Sequence, residues 1–84
     1  MYQYTHVIYH PLIGTDTHST KTFQNYNDAK KACSNDFEEL SATFRKQRDT
    51  TPGAILIVNH TSPDSWIIEY KTSEYIVTHK GFVV

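Results

Sequence analysis

The chain has 84 residues, 38% hydrophobic and 20% charged, with six Tyr, four Phe and one Trp. That is enough for one hydrophobic core, too short for two domains, and too apolar and aromatic for a disordered chain. Eight Lys and Arg against nine Asp and Glu leave a formal net charge of −1, which gives no bulk attraction to phosphate backbones or anionic lipid and disfavours non-specific nucleic-acid binding.

The first residues alternate polar and apolar side chains instead of opening a signal peptide, and no run approaches membrane-spanning length. A cytoplasmic protein with no membrane partner is therefore expected. Residues 2–9 are β-branched and aromatic, are bounded by Pro11 and Gly14, and predict a first strand. The threonine-rich residues 17–23 predict a return strand, polar enough for an edge. Residues 25–47 are the one stretch that reads as a long helix. Ala29, Cys33, Phe37, Leu40 and Phe44 recur at spacings of three and four, Ala32 widens the stripe, and Lys30, Lys31, Asn35, Glu38, Glu39 and Arg45 fall off it. Asn25 reads as the N-cap with Asp28 in the first turn, and Pro52 and Gly53 forbid continuation.

Beyond the helix, residues 54–59 are a continuous apolar run that predicts a central strand buried on both sides. Residues 65–71 and 74–80 predict two more strands, and Gly81 then releases residues 82–84 as a strand end or an apolar tail. The expected fold is α+β, a single domain in ββαβββ order, with one long helix packed on one face of an antiparallel four- to five-stranded sheet.

A hairpin between the last two strands that sets Tyr70 opposite Tyr75 puts Ile68 opposite Val77 and Trp66 opposite His79. Trp66, Ile68, Tyr70, Tyr75 and Val77 then share a face, joined by Ile55 and Ile57 if the preceding loop is even-numbered, and this face seats the helix. The opposite face carries Leu56, Val58, Ile67 and Ile76 beside Glu69 and Thr78, with no second long helix to cover it. A one-residue bulge would exchange the Ile55 set with the Leu56 set and still leave apolar side chains uncovered. The chain's own means of covering them are residues 10–16, with Leu12 and Ile13, or the tail 82–84. Otherwise a patch on the order of a few hundred Å² points to a partner.

Five histidines and one cysteine raise the question of chemistry. His6 and His10 lie four apart on a strand, about 13 Å at ~3.3 Å per residue, too far to share one metal. His60 and His79 fall on opposite faces in the register above. Cys33 lies on the apolar helix stripe and reads as a buried small hydrophobe rather than a nucleophile. Glu38 and Glu39 diverge on the helix surface, the Arg45, Lys46 and Arg48 cluster complements the helix end, and the Asn59-His60-Thr61 sequon has no secretory signal to bring it into use. No catalytic residue, metal or cofactor is expected.

In size and flavour a Thr- and Asn-rich, glycine-poor 84-residue chain with one helix on one sheet resembles small accessory proteins of phages and mobile elements. Many of those inhibit host proteins, anti-CRISPR proteins among them. The resemblance implies an anti-defence inhibitor acting by surface occlusion and transfers no functional residue. The expected function is non-enzymatic protein binding, to another protein or as a homodimer, through Leu56, Val58, Ile67, Glu69, Ile76 and Thr78. The alternative is a single-stranded nucleic-acid-binding module stacking bases on Tyr2, Tyr4, Trp66, Tyr70 and Tyr75.

Overall fold

The computed structural model describes residues 1–11 and 14–84, apart from the side chains of Thr15 and Thr61. In chain order these form β1 (Tyr2–His10), β2 (Thr15–Phe23), α1 (Tyr26–Thr50), β3 (Ile55–Ser62), β4 (Ser65–Lys71) and β5 (Ile76–Val83). All pairings are antiparallel, and the five strands lie side by side as β2-β1-β5-β4-β3. This is the α+β fold with one helix on one face that the periodicities predict. The chain leaves the sheet at one edge, β2, and rejoins it at the other, β3. Five strands at about 4.8 Å spacing are about 19 Å wide, and a 25-residue helix is about 37 Å long. The helix therefore crosses the whole sheet obliquely and touches every strand.

Asn25 caps the helix as expected, its side chain accepting from the Asp28 amide at 2.9 Å. The helix runs three residues past the expected end and stops at Thr51, whose amide bonds the Arg48 carbonyl at 3.3 Å, before Gly53 at φ 80° turns the chain. Ala29, Cys33, Ser41 and Phe44 are its buried residues. Phe37 and Leu40, predicted at the centre of the buried stripe, are only half-buried. Small side chains take the positions nearest the sheet and let the backbone approach, while the larger Phe37 flanks the contact and stacks on His60 with centroids 4.6 Å apart.

Two strand expectations are corrected. The run after the helix is not central: β3 is an edge, with Ile55 and Ile57 more than half exposed. The β4–β5 turn spans residues 72–75, because the Thr72 hydroxyl accepts the Glu74 and Tyr75 amides at 3.1 Å each and ends β4. Tyr70 consequently faces Val77, Ile68 faces His79 and Trp66 faces Gly81, while Tyr75 sits in the turn against Tyr70. Of the two alternatives for residues 82–84, the strand end is the one formed. β5 continues to Val83, which pairs with Tyr4 of β1, and Gln3 and Val84 exchange backbone hydrogen bonds at 3.1 and 2.8 Å.

The core lies between α1 and the sheet and contains Tyr4, Cys33, Phe44, Trp66, Ile68, Tyr70 and Val77. At its centre the Trp66 indole lies flat over Gly81. A Cβ there would fall 2.3 Å from the ring, so glycine is needed for the space it leaves. The indole N–H donates to the Cys33 carbonyl at 3.0 Å and fastens the middle of the helix to the sheet.

Candidate interaction surface

The sheet has a second face, and across it the register sets four rows of side chains. Ile55, Lys71 and Ile76 form the first, and Ile57, Glu69, Thr78, Tyr9 and Asp16 the second. Asn59, Ile67, Lys80, Val7 and His18 form the third, and Ser65, Phe82, Thr5 and Thr20 the fourth. Among the described residues no element packs against this face. Tyr9 is 42% exposed, Ile55 52%, Ile57 54%, and Ile67 and Phe82 36% each. Threonines and alternating charges separate the apolar side chains, with Thr5 and Thr20 hydrogen-bonded at 3.2 Å and Asp16 beside His18 at 3.4 Å. Val7, Tyr9, Pro11, Asp16, Thr78 and Lys80 line a shallow depression of about 350 Å³ at one end.

Of the six residues expected here, Ile67, Glu69, Ile76 and Thr78 share this face. Leu56 and Val58 do not: they pair with Tyr70 and Ile68 and pack into the core beneath the helix. A register shift between Asn59 and Ser62 reverses the faces of β3, so Ile55 and Ile57 stand where Leu56 and Val58 were expected. Val7 and Tyr9 were missed because they reach this face only through the pairing of β1 with β5, and Phe82 because β5 runs on past Gly81 and sets it opposite Ser65. Leu12 and Ile13, the expected cover, lie outside the described residues, and the chain end forms strand rather than folding over the sheet.

The titratable groups gather in the other layer. His6 Nε2 and His79 Nδ1 meet at 2.9 Å, one donating and one accepting, between the rings of Trp66 and Phe44. Burial holds both imidazoles below their ordinary value, His79 at about 4. The Tyr4 hydroxyl donates to Asp36 at 2.7 Å, and burial together with that carboxylate raises its pKa. Burial pushes the Cys33 thiol up to about 11, which keeps it protonated and unreactive at neutral pH. His60 and His79 both lie on the helix side, contrary to the expected register, because the β3 shift turns His60 onto Phe37. Among the described residues no three His, Cys, Asp or Glu side chains are gathered as a metal site, and every buried side-chain nitrogen and oxygen has a hydrogen-bond partner.

Of the five aromatics named for base stacking, four belong to the helix side and Tyr75 sits in the β4–β5 turn, 40% exposed. Tyr4, Trp66 and Tyr70 are buried there, and Tyr2 packs edge-on against Tyr26 at 5.6 Å. No described helix is long and apolar enough to cross a membrane. In comparisons with protein-family models, with characterised proteins and with solved structures, nothing matches this chain.

Proposed function

We propose that the protein is a non-enzymatic binding module that lays the open face of its sheet on the surface of another protein. Occlusion of that surface is its output, in the manner of the small phage and mobile-element inhibitors that the chain resembles. The observation that carries the reading is the set of exposed Tyr9, Ile67 and Phe82 with half-buried Val7 and Ile76 on a face that no described element covers. Water against apolar surface costs about 25 cal/mol per Å², and the mixture of aromatic and aliphatic anchors with threonine and interspersed charge is that of a protein-binding patch. The depression between Val7, Tyr9 and Lys80 offers a seat for one large side chain of a partner. A lone cysteine kept as a buried free thiol suits a reducing compartment, and cytoplasmic action belongs to the same reading.

Affinity capture from host lysate with parent and variant chains tests it. Ile67→Glu and Ile76→Lys lie on strands whose other face stays packed. Each is expected to keep the parent circular dichroism while weakening capture more than tenfold, over about 1.4 kcal/mol. Glu39→Lys on the outer surface of the helix serves as the control and retains it. Equal capture by all chains would remove the open face from the function.

A further inference from the structure

The two edges of the sheet are built differently. β2 reads TDTHSTKTF and carries Asp16, His18 and Lys21, the charged guard that soluble proteins set on an open edge. β3 reads ILIVNHTS, with no acidic or basic residue other than His60. Its far half is turned aside by the register shift between Asn59 and Ser62, which leaves residues 55–58 as a regular, uncharged edge. Among the described residues nothing lies outside it. Ile57 and Ile55, at 54% and 52%, are the most exposed large apolar side chains of any strand.

We infer that β3 pairs with itself. Two copies join β3 to β3 antiparallel about a two-fold axis normal to the sheet, making one continuous sheet with both helices on the same side. In an antiparallel pair, directly opposite residues share a face. The two positions must therefore be both odd or both even, which also makes residues whose amides point away from β4 meet residues that do the same. Centring the pair on Leu56 keeps the irregular Asn59 to Ser62 segment outside it. Ile55 then lies opposite the partner's Ile57, and Ile57 opposite the partner's Ile55, as a four-isoleucine cluster. On the helix side Leu56 meets the partner's Leu56, and Ala54 meets the partner's Val58. A second copy is the fitting occupant because an uncharged strand meets itself without repulsion, and a two-fold axis needs only one self-complementary patch. An edge this short buries less than a standard interface, so the dimer is of micromolar strength rather than tighter. The pairing stands apart from the proposed function, since it engages Ile55 and Ile57 at the margin of the open face and leaves Val7, Tyr9, Ile67, Ile76 and Phe82 free.

Sedimentation equilibrium from about 1 μM to 1 mM brackets such a constant. The parent is expected to pass from monomer to dimer over this range. A chain with Ile55→Lys and Ile57→Lys stays monomeric, as does one with Ile55→Glu and Ile57→Glu, and an equal mixture of the two dimerises through opposite charges across the edge. A parent that stays monomeric throughout, charged chains that dimerise alone, or a mixture that stays monomeric overturns the inference. Loss of the dimer on Ile67→Glu alone also overturns it, by moving self-association to the open face. Failure of the binding-module reading shows instead in the capture experiment, whatever the oligomeric state. If the charged chains do not fold, amide exchange of the parent decides: protection of residues 54–58 that grows with concentration supports the pairing, and exchange there that ignores concentration overturns it.

Discussion

His79 shows how single residues here combine packing with charge. The residue is 8% exposed, bonded to His6 and flanked by Phe44; burial, then His6 and His10, disfavour its charged form, while Asp36 favours the charged form of His6 without outweighing burial. An unfolded chain protonates this imidazole near 6.5, whereas the folded chain waits until about 4. The unfolded state therefore binds more protons between those values, and stability is full above 6.5 and falls as the pH drops toward 4. Between pH 7.5 and 5, above the carboxylate range, the loss is about 2 kcal/mol. Urea midpoints at the two pH values measure it, and His79→Leu should remove most of the slope. Histidine pairing was illegible in the sequence, because positions 6 and 79 meet only through the β1–β5 ladder. The burial of Cys33 was legible, since helical spacing alone sets it among the apolar residues.

At the scale of elements, the helix and the β4 face could be read because their patterns are one-sided. Trp66, Ile68 and Tyr70 alternate with more exposed residues and do line the core. β3 resisted for the opposite reason: Ile55, Leu56, Ile57 and Val58 are all apolar, so hydrophobicity cannot choose a face, and the irregularity at Asn59 to Ser62 makes the choice. The helix stripe was right in phase and wrong in emphasis. Phe44 is buried and stacks on Tyr70 at 5.1 Å, whereas Phe37 stays half-open. Phe44→Ala is accordingly expected to cost about 3–5 kcal/mol and Phe37→Ala less than that. Thermal melts of the two variants check the order, and a larger loss at Phe37 would mean that the flank of the helix, not its centre, carries the packing.

Over the whole molecule, the open face was legible as a consequence of counting layers, one helix for a sheet with two sides. Its composition was not, since Val7, Tyr9 and Phe82 arrive from opposite ends of the chain. The closing pair of strands has a kinetic consequence as well. β5 is the middle strand of the sheet yet the last in the sequence, and it pairs with the first. During synthesis the sheet therefore stays split into an N-terminal hairpin and an incomplete remainder until residue 83 has left the ribosome. The loop that must then close runs from Tyr4 to Val83, and closure over so long a separation slows folding. A circular permutant tests this. Joining residue 84 to residue 1 through a short turn and opening the chain at Pro52 and Gly53 converts the most distant pairing into a neighbouring hairpin. Stopped-flow refolding of that permutant should be faster than the parent by about an order of magnitude, with the same strands in the same places and only the order of their making changed.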